Sequence, residues 1–300
     1  MIRCHHAGKM GDLIFALPVF RALRRIHGQP IHLTTSGLCW QLVPLLWEQP
    51  YFADVVLDDT RPYGIPFETG VTTNWEYYTR EEGLNLSLQP KHQDQDCPIS
   101  WTRSYAWLAG LDPWTCFEPA DLVSLPTLVN HRNWHYGIDV RLDGQEQALP
   151  RIIVVAPEVE TLESASEETW TRVMDRLMDD GYTVVLVGTQ PTPDYTVHLH
   201  AWRHVPPVLF RDLRGLTTVP VLAKLIAEAT AFIGAHSLPW HLARLAGTPA
   251  VCLQHWREGL RRCLPIDTPA ERCPWVEPDR WAAAVNWIRV QDPLVTGGPT

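Results

Sequence analysis

Two stretches of this chain alternate short apolar runs with amphipathic ones, and no other feature limits its fold so tightly. In the first, Ile2–His6 reads as a strand and Asp12–His27 as a helix, with apolar residues at Leu13, Ala16, Leu17, Phe20, Leu23 and Ile26. Ile31–Thr35, Leu38–Trp47 and Asp54–Leu57 follow as strand, helix and strand. Pro18 inside the first helix predicts a kink or an irregular turn there. The second stretch repeats the grammar. Arg151–Ala156 and Tyr182–Val187 read as fully buried strands, with an amphipathic helix over Glu167–Asp180 between them. Val219–Ala229 (helix), Ala231–Gly234 (strand), Pro239–Ala246 (helix), Pro249–Leu253 (strand) and a last helix from about Pro278 to Val290 complete it. Strand alternating with helix at this spacing marks βαβ units on a parallel sheet. Each half therefore reads as a doubly wound α/β domain, and the halves are not repeats of each other.

At 300 residues the chain is about twice the usual domain size, which fits two domains. The junction is expected at Leu149-Pro150, giving residues 1–149 and 150–300. Residues 60–100, dotted with proline and carrying Trp75, Tyr77 and Tyr78, show no clear periodicity and read as a functional insertion or lid. Trp101–Leu111 reads as a helix, and 112–150 as another proline-dotted passage. Of the 14 Trp, Trp170, Trp240, Trp281 and Trp287 lie on helices and are assigned to packing, while Trp75 and Trp101 could stack on a sugar or base.

The net charge of −9 argues against a chain built to coat nucleic acid or anionic lipid. The N-terminus carries no signal-type apolar run, and no window approaches about 18 uninterrupted apolar residues. Seven cysteines with no C-x-x-C pair predict reduced thiols in a cytoplasmic protein. Cys263 and Cys273 could pair or share a metal with His255, but buried, inert thiols are the expectation.

Two turns carry candidate chemistry. The first is Ala7-Gly8-Lys9-Met10-Gly11-Asp12, between the first strand and the first helix. In an open parallel sheet ligands sit at this place, against a helix N-terminus. Gly8 and Gly11 let a substrate approach the backbone, and Lys9 could meet an anion. Asp12 is either a helix cap or a carboxylate held as a general base; the loop alone leaves both open. The loop is neither a Walker A nor a dinucleotide fingerprint. The second turn is Gly234-Ala235-His236-Ser237-Leu238-Pro239-Trp240-His241, where a strand delivers the chain into a helix start. Free N–H groups there and the Ser237 hydroxyl would make a diphosphate seat flanked by His236 and His241. The plainer alternative is that Ser237 caps the helix and His241 packs.

Gly11-Asp-Leu-Ile-Phe-Ala-Leu-Pro-Val-Phe-Arg-Ala-Leu-Arg-Arg25 resembles the opening "GD…tPvlrALkr" of glycosyltransferase family 9, the heptosyltransferases of lipopolysaccharide core synthesis. The block from Asp212-Leu-Arg-Gly-Leu-Thr-Thr to Gly234-Ala-His-Ser-Leu-Pro-Trp-His241 and Gly247-Thr-Pro-Ala-Val251 resembles that family's "LaGkTsL…fIgnDSGpmHlAaAlGtPvv". The likeness is strong over 212–253, good over 1–27 and weak between about 55 and 150. It implies a GT-B fold: two Rossmann-like doubly wound domains facing across a cleft, the acceptor on the first and the nucleotide-sugar on the second. It also implies a final helix that packs back on the first domain. Residue by residue, Asp12 matches the catalytic base, Ser237, Leu238 and Pro239 the diphosphate turn, and His241 the histidine that follows. Thr217 and Thr218 stand in the same matching block, on the donor side, and Gly8, Lys9, Met10 and Gly11 form the acceptor or phosphate loop.

Three positions depart from the family: His236 replaces an aspartate, Leu238 a glycine, and Glu163 a lysine of the donor-phosphate site. A carboxylate beside a diphosphate is repulsive, so the cation is sought in Lys9, Arg211, Arg214 or a protonated His236. Asp194 could accept hydrogen bonds from the donor ribose, or be an exposed loop carboxylate. Asp94-Gln95-Asp96 imitates a DxD metal motif without a strand to deliver it, and His131 and His135 lack the glutamate of H-E-x-x-H, so no metal site is expected. The expected reaction is an inverting, metal-independent sugar transfer from a nucleotide-diphosphate donor to an acceptor hydroxyl on a glycan or glycolipid, with no cofactor. The alternatives are a modified nucleic-acid base, a protein or a small metabolite as acceptor, or a GT-B-like protein that binds nucleotide or glycan without turnover.

Overall fold

The computed structural model describes residues 1–6, 10–58, 83–86, 100–123, 125, 151–158, 165–189, 205–206, 209–255 and 274–292. The chain forms two compact units, Met1–Leu128 with Arg257–Asp267, and Val129–Trp256 with Thr268–Thr300. The junction expected at 149–150 lies outside the described residues.

In the first unit, β1 (Ile2–His6), β2 (Ile31–Ser36), β3 (Phe52–Asp58) and β4 (Leu84–Asn85) form one parallel sheet in the order β3-β2-β1-β4. Helix α1 (Met10–His27) runs unbroken through Pro18. Proline removes one backbone hydrogen bond, but every residue from Leu13 to Phe20 is buried, and that packing outweighs the missing bond. The helix expected over Leu38–Trp47 is instead a 3-10 turn at Gly37–Cys39 followed by a short α2 (Val43–Trp47), because Pro44 suits only a first helical turn. Helix α3 (Trp101–Leu108) is capped by Ser100, which accepts from the Arg103 N–H, and stops three residues before the expected Leu111. A one-turn α4 (Pro119–Leu122) is tied to α1 by Arg25, whose guanidinium donates to Asp121 at 2.8 Å and to the Cys116 carbonyl at 2.6 Å. Strand β4 falls within the passage read as irregular. Two residues are too few to show a period.

The second unit holds a six-stranded parallel sheet of β5 (Ile152–Ala156), β6 (Thr183–Leu186), β7 (Phe210–Asp212), β8 (Ala231–Gly234), β9 (Ala250–Leu253) and β10 (Trp275–Val276). Its order is β10-β9-β8-β5-β6-β7. The strands β5, β6, β8 and β9 are buried throughout, which is why each reads as an unbroken apolar run. Helix α5 (Glu167–Asp179) buries Trp170, Val173, Met174 and Leu177, a single stripe at helical spacing. Helix α8 (Trp281–Gln291) adds Ala284, Val285 and Ile288 to the same core. Helices α6 (Val219–Glu228) and α7 (Leu238–Ala246) pack against each other. At the base of the sheet Arg151 donates to the buried Asp292 at 2.6 Å and lies 4.0 Å from the centre of the Tyr182 ring, fastening the end of α8 to the start of β5.

The tryptophans assigned to packing are packed: Trp170 and Trp240 are fully buried, and Trp281 and Trp287 are partly buried against that core. Trp101 opens α3 half-buried, and Trp75 lies outside the described residues. Cys4, Cys39, Cys116 and Cys252 are free and buried, and burial pushes the Cys4 thiol up to about 12 and Cys39 to about 11. These four are the inert thiols expected; Cys97, Cys263 and Cys273 lie outside the described residues. No helix among the described residues is long and apolar enough to cross a membrane.

A close backbone approach lies at the end of β8. A Cβ on Gly234 would stand 2.7 Å from the Ala156 carbonyl oxygen and 2.7 Å from the Phe232 ring. Gly234→Ala is expected to destabilise the chain by about 1–3 kcal/mol through overpacking, read as a lower midpoint in urea unfolding with an unchanged slope.

Candidate functional site

The order of the second sheet fixes where a ligand can sit. The chain moves from β5 outward to β6 and β7, then crosses back to β8 on the other side of β5 and continues to β9 and β10. Adjacent strands whose connections leave in opposite directions open a crevice at their carboxyl ends. That switch point lies between β5 and β8, where Ala156 pairs with Gly234.

At the β8 side, Ala235 and His236 carry the chain into α7. Ser237 is the residue before the helix, with extended backbone, but its hydroxyl does not cap it. The hydroxyl donates back to the Ala235 carbonyl at 3.2 Å, which overturns the plain capping alternative. Pro239 has no N–H, and the N–H groups of Ser237 and Leu238 have no partner among the described residues. The helix start is thus a set of unused donors at the positive end of the α7 dipole. His236 is held from the neighbouring strand: its N–H donates to the side-chain oxygen of the buried Gln254, just beyond β9, at 2.8 Å.

The two histidines meet. His241 Nε2 lies 3.1 Å from His236 Nε2, and Arg244 Nη1 lies 3.4 Å from His241 Nδ1. Trp240 and Trp275 wall the pair, with ring centres 5.5 and 5.8 Å from His236. Burial, reinforced by Arg244, lowers His236 to about 4, and burial, with His236 and Arg244, holds His241 well below its ordinary value. A protonated His236 is therefore not the missing cation at neutral pH. His241 is buried, yet it is bonded to the site and not merely packed.

Arg214 is also engaged. It donates to Glu158 at 3.0 Å and to Asp212 at 2.7 Å, with the guanidinium only 5% exposed. This knot joins the ends of β5 and β7 beside Gly188, whose φ of +154° disfavours a side chain and where an added Cβ would stand 3.0 Å from Glu158 Oε2. Burial raises the Glu158 carboxyl, and Arg214 opposes the rise. Thr218 precedes α6 without a side-chain cap bond, and Thr217 beside it is half-buried. Arg211 lies on β7, half-buried.

In the first unit, α1 begins at Met10, so Asp12 is a first-turn residue and not the cap. Met10, Gly11 and Asp12 are half-buried beside the carboxyl end of β1. There His6 is fully buried, its ring hydrogen-bonded to the Asp12 backbone and 3.4 Å from the Tyr105 hydroxyl. Burial lowers His6 to about 3. The Asp12 charge helps to raise the Cys39 thiol, after burial, so the two lie in one neighbourhood. Gly8, Lys9, Glu163, Asp194, Asp94, Asp96, His131 and His135 lie outside the described residues.

Sequence reasoning missed Glu158, Gln254, Trp275, His6 and Tyr105. Glu158 and Gln254 carry a readable signal: each is a polar residue within two positions of the carboxyl end of a fully buried strand.

The two parallel-sheet units place the chain in the α/β class, and the similar solved structures give it the GT-B fold. Residues 145–254, from just before β5 to just after β9, match the family model "Glycosyltransferase family 9 (heptosyltransferase)". Three solved structures are similar over almost the whole length. Escherichia coli ADP-heptose lps heptosyltransferase II is 14% identical, with 97% of this chain and 98% of that chain covered and a TM-score of 0.62. Escherichia coli heptosyltransferase WaaC with ADP is 12% identical, covering 97% and 100%, at 0.65. The family 9 glycosyl transferase of Veillonella parvula DSM 2008 is 14% identical, covering 92% and 87%, at 0.61. No curated protein matches in sequence. Identities this low carry the fold, and the family match over 145–254 adds the class: these findings support a glycosyltransferase of the heptosyltransferase-like kind.

Two outcomes test this geometry. Arg214→Gln leaves Glu158 and Asp212 without their cation and is expected to remove about 3–5 kcal/mol of stability near pH 8. The loss shrinks as the pH falls, because burial raises the Glu158 carboxyl and it takes up a proton more readily; urea unfolding at pH 8 and at acid pH measures it. His6 stays neutral in the fold down to about pH 3 but binds a proton below 6.5 once unfolded. The unfolded state then holds more protons, so stability is lost as pH falls through 6.5, by about 2 kcal/mol from this group at pH 5. His6→Asn should flatten that acid dependence in thermal unfolding.

Proposed function

We propose that the chain is an inverting, metal-independent glycosyltransferase that moves a sugar from a nucleoside-diphosphate donor to an acceptor hydroxyl on a glycan or glycolipid. The observation that carries this reading is a coincidence of place. The family 9 match ends one residue past β9. It therefore contains the switch point of the sheet and the unused N–H donors that open α7.

In the proposed reaction Asp12 accepts the proton of the acceptor hydroxyl as that oxygen attacks the anomeric carbon of the donor. The new C–O bond forms as the bond from that carbon to the diphosphate oxygen breaks, which inverts the centre. The leaving nucleoside diphosphate gathers charge at the start of α7, where the N–H groups of Ser237 and Leu238 and the helix dipole stabilise it. His236, His241, Thr217, Thr218 and Asp194 complete the donor side, and Gly8, Lys9, Met10 and Gly11 line the acceptor side. Such a donor set asks for no metal or cofactor, because backbone dipoles supply the stabilisation. ADP-heptose, named with the similar heptosyltransferase II, is the first donor to try.

Incubating the chain with a panel of nucleotide-sugars, ADP-heptose included, and measuring released nucleoside diphosphate tests the proposal. Release with one donor is expected, together with a loss of at least about a hundredfold in transfer for Asp12→Asn. Thermal stabilisation by a nucleotide-sugar without turnover would favour the binding-protein alternative. Full transfer by Asp12→Asn would remove Asp12 as the base.

A further inference from the structure

We infer that Arg244 and His241 act as positioning residues that lock His236 as a neutral imidazole with its proton on Nδ1, presented to the diphosphate of the donor. The inference rests on the donor reading above and deepens it.

A guanidinium only donates, so His241 Nδ1, 3.4 Å from Arg244 Nη1, is an acceptor and carries no proton. The single proton of the neutral His241 ring is then on Nε2. That nitrogen lies 3.1 Å from His236 Nε2, so His241 donates and His236 Nε2 accepts. The proton of the neutral His236 ring is left on Nδ1, which has no partner among the described residues and is not shut away from solvent. Both rings stay neutral because burial and Arg244 disfavour the charged forms.

The backbone places this N–H at the right point. His236 stands between the end of β8 and Ser237, with its own N–H tied to Gln254 and its ring flanked by Trp240 and Trp275. Among the described residues the groups that face the ring are few. His241 and Arg244 come from α7, while β9 and β10 offer Gln254 and Trp275, which do not titrate. His255 and Glu277, at the ends of the same two strands, pair with each other at 3.1 Å. An imidazolium here would bind a diphosphate in a pH-dependent way. A neutral N–H donor does not, and it adds one directed hydrogen bond to those of Ser237 and Leu238.

The test uses the full chain with ADP and UDP as probes. Ring 15N shifts are expected to show a protonated Nδ1 and a bare Nε2 on His236, and His241→Leu to scramble that signature. Calorimetry should give the same pH dependence of nucleotide affinity between pH 5.5 and 7.5 in the wild type and in His236→Ala, since the terminal phosphate of the nucleotide titrates there and the His236 ring, lowered to about 4, does not. His236→Ala should weaken binding by about tenfold. His241→Gln, whose amide N–H can replace the imidazole donor, should restore affinity and signature where His241→Leu does not. The opposite tautomer, a pH dependence across that range that His236→Ala changes, or wild-type affinity in His236→Ala would each overturn the inference. If the wild-type chain binds neither nucleotide while the tautomer is as described, the donor reading itself falls.

Discussion

The second unit depends on how closely β8 approaches β5. Parallel strands of this sheet carry side chains on both faces, but at Gly234 the Ala156 carbonyl and the Phe232 ring occupy the space a Cβ would need. The bare glycine lets β8 end flush with β5, and the chain can then turn sharply through Ala235 into α7. Move that end outward and Ser237, Leu238 and His236 leave the carboxyl edge together. The hydrogen bond from His236 to Gln254 fixes the same turn from the β9 side, so the site is clamped between two strands before any ligand arrives.

Charge is distributed unevenly across that edge. On the β5–β7 side the only described guanidinium of the cluster, Arg214, is shared by two carboxylates, so its field is spent inside the protein. On the β8–β9 side the groups around His236 are neutral, with the Arg244 guanidinium set behind His241: two imidazoles, an amide, a hydroxyl and backbone N–H groups. Dipoles aimed in advance hold an anion without the desolvation of a buried charge. This is a physical reason why the departures at His236 and Glu163 need not be answered by a new cation on the described side of the sheet.

The parts of the fold legible in the sequence were those with a period or a continuous run. Strands such as Ile152–Ala156 and Ala231–Gly234 announce themselves by burial on both faces. Edge strands β4, β7 and β10, two or three residues long, do not. The Leu38–Trp47 region has helical composition but breaks at Pro44, where local backbone chemistry overrides the apolar pattern. At the site, His236, Ser237 and His241 were visible because they lie within six residues of one another. The Glu158–Arg214 pair was not, since its members are 56 positions apart and meet only when β5 and β7 lie in one sheet. Asp12 was found by its place after a strand, but which backbone position it held in the helix came only from the structure.

The buried thiols give the molecule a property of a different kind. Cys4 stands on β1 against Leu33 and Leu84, and Cys252 on β9 against Gly234 and Trp275. Neither sulfur meets solvent while its sheet is closed. Each sheet therefore carries a natural clock: the rate at which an alkylating reagent finds Cys4 counts openings of the first unit, and the rate at Cys252 counts those of the second. The two units can be timed independently in one unlabelled sample, by locating the modified peptide.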